Sequence, residues 1–307
     1  TLGSKNLVNG SDNTTLGSRN LVNGLGNKTT GIKNTVDGML NKATGAENLV
    51  TGTGNKAVGD NNWVDGLGNK AVGDGNIVSG MRSGAVGDDN IVSGIRNKAA
   101  GDDNNVTGTD NKVIGDNNKV SGKDNLALGY KNILKGENNT TTGKSNSVEG
   151  TDNYVAGRAN TNVGNSDITN GLYNKVKGNN NITDGRSNEV TGHNNIADGR
   201  TNKVEGDLNL ASGRSNETTG NNNIADGRTN KITGDFVKKN EVVARINLST
   251  EGVRIQGNKI QIDGNTIFNS DTRFNGRVEA GQTITVEANG KRTVIGGGTI
   301  EYYEWSP

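Results

Sequence analysis

Apolar and polar residues alternate in one seven-residue pattern along most of the chain, G-x-x-N-x-(V/A/T)-x, as in the stretches Gly3 to Gly10 and Gly66 to Gly73. Glycine recurs at every seventh place from Gly3 to Gly234 without a gap. Asparagine follows three residues later, except at Ser83 and Asp167. Within the unit, N-x-V-x-G alternates with period two, which places Asn, Val and Gly on one face of a short strand. The following G-x-x-N supplies a turn, because Gly and Asn both tolerate positive φ. Seven is also the coiled-coil period, but a helix fails. Glycine costs about 1 kcal/mol at each helix-interior position, and Asn, Thr and Val are poor helix formers. A fixed period of this kind marks a repeat architecture, in which each unit buries its apolar side only against the next.

The outward positions carry a second period, of fourteen. Four residues after glycine, Leu7, Leu21, Leu49, Trp63, Ile77 and Ile91 interleave with Lys28, Lys42, Lys56, Lys70 and Lys98. Six residues after glycine the phase is opposite, with Asn9, Asn23, Asp37, Asp65, Ser79 and Ser93 set against Leu16, Val58, Val72, Val86 and Ile114. Consecutive strands are therefore not equivalent. The simplest geometry is a coil of two strands and two corners, stacked as parallel strands about 4.8 Å apart, roughly 16 coils in a rod about 80 Å long. The reading is all-β, a parallel β-roll over residues 1–234. Gly3, Asn6, Gly10, Asn13, Gly101, Asn104 and Gly234 are among its structural positions, and the stacked asparagine amides are expected to form ladders that satisfy backbone groups.

Past Lys119 the apolar outward residues become Ile168, Ile182, Ile196, Leu210 and Ile224, on the opposite strand of the coil. This reads as a change of packing along one rod, and the irregular heptads around Ser166 and Asp167 as a kink or a change in contact between chains. Long outward apolar rows are rarely left to water. Self-association into a closed cyclic bundle is the expected remedy.

Composition changes the picture only by exclusion. Apolar residues at 29% and aromatics at 3% would elsewhere indicate disorder, but strict stacking lets small residues cover one another. A net charge of +1 with no block of one sign argues against nucleic-acid binding. The absence of cysteine excludes disulfides and thiolate metal sites. No apolar stretch approaches the roughly 18 residues of a membrane span, so no membrane insertion is expected. The chain opens inside the repeat, and it is read as an excised fragment.

Candidate chemistry is sparse. His193 is the single histidine and occupies a corner, with no second imidazole to join it. Asp88-Asp89 and Asp102-Asp103 read as solvated corners, without the calcium β-roll pattern. Gly296 to Gly298 lacks the residues of a phosphate loop. A repeat without insertions has no loops from which to build a cleft, so no catalytic residue, cofactor or metal is assigned and the chain is not read as an enzyme. Candidate surface contacts are the aromatics Tyr130, Tyr154, Tyr173, Tyr302, Tyr303 and Trp305, whose faces can stack on sugars.

After Gly234 the glycine clock stops. Residues 242–248, 253–255, 259–262, 266–268, 283–287 and 293–295 read as short strands separated by turn pairs. Residues 235–307 are expected to form a C-terminal β-strand domain that intertwines as a trimer, since one such thin chain buries little alone. The aromatic run Tyr302 to Trp305 would lock its end.

Two resemblances add to this. The heptads, as in G-S-K-N-L-V-N-G and G-L-G-N-K-A-V-G, resemble the head repeats of YadA-like trimeric adhesins. That likeness implies a left-handed parallel β-roll in each of three chains. The stretch R-I-N-L-S-T-E-G-V-R-I-Q-G-N-K-I-Q-I-D-G-N-T-I-F, from Arg245 to Phe268, resembles a segment of tail-tip structural proteins from phages and prophages of Gram-positive bacteria. It implies a rod of a tail fibre or spike, located on the virion tail or extracellularly. Its partners would be its own copies, other tail proteins and a glycan or protein receptor on a bacterial surface. The other expectation is the head of a bacterial surface adhesin that binds host matrix or cells. Trimeric valency would turn weak contacts into lasting attachment in either case.

Overall fold

The computed structural model describes residues 1–234, 283–288, 291–296 and 299–304. It divides into two units, Thr1–Ala244 and Arg245–Pro307, each described by itself.

The first unit is an all-β parallel solenoid, and its described residues contain no helix. Every heptad forms one strand and one corner, and each strand pairs in parallel with the strand two heptads on, Leu7 with Leu21 and Lys119 with Ile133. Two sheets result. A front sheet of 17 strands runs from Leu7–Ser11 to Lys231–Thr233, and a back sheet of 16 strands from Thr14–Ser18 to Ile224–Arg228. The fourteen-residue outward period is this alternation of front and back.

The interior explains why the coil is flat. From Val36 to Ala99 the front sheet points valine inward (Val36, Val50, Val64, Val78, Val92) while the back sheet points alanine (Ala43, Ala57, Ala71, Ala85, Ala99), all buried. One larger side chain facing one small one fills the gap without voids. Each buried valine contributes about 1.5–3 kcal/mol, so stability accumulates coil by coil.

One expectation about the corners is corrected. Positive φ falls on the glycine and on the residue just before the asparagine, such as Lys5, Asp12 and Arg19, whereas the ladder asparagines take ordinary negative values. The asparagine therefore serves as a hydrogen-bonding post, and its neighbour makes the bend. The glycine is demanded by close approach: a Cβ on Gly101, at φ +115°, would overlap the carbonyl oxygen of Gly115 in the next coil.

The heptads around Ser166 and Asp167 do not break the stack. Strands Ser147–Thr151, Thr161–Asn165 and Lys175–Asn179 stay in register through them. The change there is internal, as described below.

In the second unit, Thr283–Ala288, Lys291–Gly296 and Thr299–Glu304 form an antiparallel three-stranded sheet. The strands expected near 283–287 and 293–295 lie within it, and Tyr302 and Tyr303 belong to the third strand, opposite Thr293 and Arg292. The strands expected at 242–248, 253–255, 259–262 and 266–268, together with Trp305, lie outside the described residues.

Candidate interaction surface

The asparagine ladder consumes its own chemistry. Asn20 donates its backbone N–H and its amide Nδ2 to Oδ1 of Asn6, at 3.0 and 3.1 Å, and Nδ2 also reaches the carbonyl of Gly31 at 2.9 Å. Asn104 repeats the arrangement on Asn90 at 3.1 and 3.0 Å. At the start of the stack, Asn6 and Asn13 reach the carbonyls of Gly17 and Gly24, each at 2.8 Å. The ladder asparagines from Asn20 to Asn223 are buried. Groups so fully satisfied have nothing left to offer a ligand.

What remains for recognition is the outward rows. On the front sheet Leu21, Trp63, Ile77 and Ile91 are 43%, 52%, 39% and 43% exposed, stacked on the edge where each coil leaves the back sheet. Sequence reading found that row. It missed another at the opposite corner, where Leu25, Met39, Leu67, Met81 and Ile95 follow the glycine and are equally open. The signal was available, since all five stand one residue after a front-sheet glycine, a place the alternation rule treats as turn. On the back sheet, Lys28, Lys42, Lys56, Lys70, Lys98 and Lys112 form a file, interrupted by Gly84. Near that gap lies a shallow groove of about 400 Å³ bordered by Lys70, Arg82, Lys98 and Ile114.

The candidate aromatics do not converge. Tyr130 sits at a corner in register with Lys144, with the ammonium groups of Lys131 and Lys144 at 5.1 and 5.2 Å from its ring centroid. Tyr154 opens a back-sheet strand and is 45% exposed. Tyr173 is a corner residue at φ 59° and is 51% exposed. They occupy separate coils, so a single ligand touching all three would have to be extended. Nothing is assigned to the side chains of Tyr302, Tyr303 and Trp305.

His193 is a corner residue held by its neighbours: its Nδ1 accepts from the backbone N–H of Asn179 at 3.1 Å, and its own N–H donates to Asp207 at 2.7 Å. Asp88 and Asp102 use Oδ1 to accept the backbone N–H of Asp74 and Asp88, both at 2.8 Å. Among the described residues no three His, Cys, Asp or Glu side chains are grouped to hold a metal ion.

Asp167 is the exception in the ladder. Its Oδ1 accepts from the backbone N–H and Nδ2 of Asn181, at 2.7 and 3.0 Å, while buried Oδ2 has no partner. Burial pushes its pKa up from the ordinary 3.8 to about 6, against the hydrogen bonds from Asn181 and the nearby His193.

Compared with known proteins, the chain matches the family described as grass antifreeze β-roll three times in overlapping register, over residues 41–129, 81–171 and 125–213. Among curated proteins none matches it.

Proposed function

From the premise that the chain belongs to the grass antifreeze β-roll family, its matches together spanning more than half the sequence, we propose that the roll is the adhesive or spacing rod of a phage or prophage-derived tail fibre or spike. In this reading three copies associate, each a left-handed roll, and residues 235–307 close the assembly as a small intertwined β-domain. The rod meets a glycan or protein on a bacterial surface, or holds a receptor-binding tip away from the particle, with other tail proteins as neighbours. The observation that carries the proposal is the row structure. Exposed apolar side chains repeat in register along the front sheet, the ladder is internally satisfied, and a stack without inserted loops offers no cleft for chemistry. Such an object suits mechanical and multivalent work. The likeness of residues 245–268 to tail-tip proteins favours a phage over a bacterial adhesin.

A pull-down of fluorescently labelled protein on Gram-positive cells and on immobilised mammalian matrix proteins tests this. Retention on cells, weakened several-fold by Y130A/Y154A/Y173A, is expected. Retention on matrix alone would favour the adhesin head, and retention on neither would leave the spacer role. The matched family's name supports a second reading, that a flat in-register face binds ice. Unaltered ice growth in the presence of the protein is expected here, because lysines occupy the back-sheet file. Shaped or arrested ice crystals would reverse that choice.

A further inference from the structure

Between Lys56 and Asp116 the back-sheet strands carry a file of like charge at each end, beside other charged residues such as Arg82 and the paired Arg96 and Asp110. Asp60, Asp74, Asp88, Asp102 and Asp116 stack at the corner that leaves the back sheet, all exposed. Each accepts, through Oδ1, the backbone N–H of the residue fourteen earlier, at 2.6, 2.7, 2.8, 2.8 and 3.0 Å, which holds the carboxylates in line. Lys56, Lys70, Lys98 and Lys112 stand at the other end of the same strands. Other charges of the roll are answered one coil away, as in Lys33–Glu47 at 2.7 Å, Lys175–Glu189 at 2.9 Å, Glu217–Lys231 at 3.1 Å and, within this same stretch at the lysine corner, Arg96–Asp110. These nine residues form no ion pair among the described residues. Four residues of extended chain, about 13 Å, separate each lysine from the aspartate of its own coil. Like charges in file about 4.8 Å apart repel one another.

We propose that the two files are the complementary margins of a closed ring of parallel chains, the aspartate margin of one copy seated on the lysine margin of the next, coil against coil. This rests on the association proposed above and specifies its interface. The apolar flanks agree. Beside the aspartates on the front sheet run Trp63, Ile77 and Ile91, and beside the lysines at the opposite corner run Leu67, Met81 and Ile95, all between 39% and 52% exposed. Joining unlike margins therefore covers apolar surface and neutralises both files together. Symmetry decides the rest. A parallel two-fold pair meeting edge to edge joins a margin to itself and would set aspartate against aspartate, whereas a head-to-tail contact joins unlike margins and closes only with three or more copies. A face-to-face parallel pair, which also sets unlike margins together, would reveal itself by a mass of two chains and overturn the ring.

One antiparallel pair could also answer the aspartates. The same corner carries Arg186, Arg200, Arg214 and Arg228 further along, and a two-fold at Lys144 would oppose them to Asp102, Asp88, Asp74 and Asp60. That pairing sets Trp63, Ile77 and Ile91 against Lys231, Glu217 and Lys203, leaving apolar residues on charged ones. The ring avoids this mismatch.

The absence of cysteine makes a clean test possible. Co-expressed chains carrying D74C and K70C singly should be linked by a short bis-maleimide, and D74C with R214C should not; linking of the second pair instead would overturn the proposal in favour of the antiparallel dimer. By multi-angle scattering the native protein should weigh at least three chains. K56E/K70E/K98E/K112E should raise its dissociation constant at least 100-fold with its β circular dichroism intact, and adding D60K/D74K/D88K/D102K should restore assembly. An assembly indifferent to the reversal would overturn the margins while leaving self-association standing. A monomeric native protein would overturn both, leaving the attachment reading to cell binding.

Discussion

From Val22 to Val155 the interior is one continuous apolar cluster, and a second begins at Val176. Between them Asn162 stands where the front sheet places valine in most coils, and Thr169 where the back sheet places alanine, valine or threonine. Asn162 donates to Thr169 Oγ1 at 3.2 Å, but its own Oδ1 is buried without a partner. Five residues on, Asp167 replaces the ladder amide. At Asn153, one turn earlier, Nδ2 donates to the carbonyl of Gly164 at 2.7 Å and to Oδ1 of Asn139 at 3.0 Å. A carboxylate has no such hydrogens to give. By the ladder's spacing the carbonyl left without that donor is the one of Gly178, and along the front sheet here Gly150, Gly164 and Gly178 stand at φ +136°, +154° and +131°. Strand pairing is the same in both regions. The difference teaches that register here is held by the backbone and the glycine clock, whereas stability depends on what each coil places inside.

The largest effect should come from breaking the regular region. Gly101→Val adds a β-branched side chain at φ +115° directly against backbone of the next coil, which cannot retreat without separating strands. A loss above about 4 kcal/mol is expected in denaturant unfolding. The same change at Gly234, with nothing among the described residues within 4 Å of an added Cβ, should cost mainly the strain of its φ, about 1–3 kcal/mol.

A reciprocal exchange sharpens the comparison. Val120→Asn would bring the irregular interior into the regular region and should cost about 3 kcal/mol, because a buried amide without full partners loses its hydration. Asn162→Val should gain about 1–2 kcal/mol by joining the two apolar clusters. Equal and opposite small effects would show that the interior does not set coil stability.

Asp167 gives the comparison a pH dependence. The carboxyl holds its proton more tightly in the folded chain than in the unfolded one. Its contribution is therefore complete below about pH 4 and is lost as pH rises through about 6. The interval between 3.8 and about 6 is worth at most about 3 kcal/mol. Asp167→Asn, which restores the amide donors, should stabilise by up to about 3 kcal/mol at pH 8, much less at pH 4, and flatten the profile between. A variant whose stability still falls between pH 4 and 8 as in the native chain would place the titrating group elsewhere.

Much of this was legible in the sequence. The glycine clock and the fourteen-residue outward period give the two-sheet coil directly, because a repeat allows only one relation between copies. The outward rows Leu7 to Ile91 and Ile168 to Ile224 lie on the sheets the alternation assigns them. The corner conformation was not legible: Lys5, Arg19 and Tyr173 adopt positive φ although their side chains disfavour it, because the stack and the asparagine post impose it. The apolar corner row from Leu25 to Ile95 was hidden because corner residues are read as solvent-facing punctuation. Asn162 went unnoticed since a single polar residue at an inward place resembles the tolerated threonines Thr141 and Thr183. The Asp and Lys files were visible as residues, but their separation on two margins needs the coil.

The central claim is that stability is laid down coil by coil and is lowest where Asn162 and Asp167 interrupt the interior. Amide hydrogen exchange of the native protein, read by coil at pH 5 and pH 8 and corrected for intrinsic rates, tests it most directly. The account predicts a protection minimum across 160–181 that deepens by at least tenfold at pH 8 and disappears in the Asn162→Val, Asp167→Asn double variant. Uniform protection through those coils at both pH values, or a minimum that the double variant leaves in place, would contradict it.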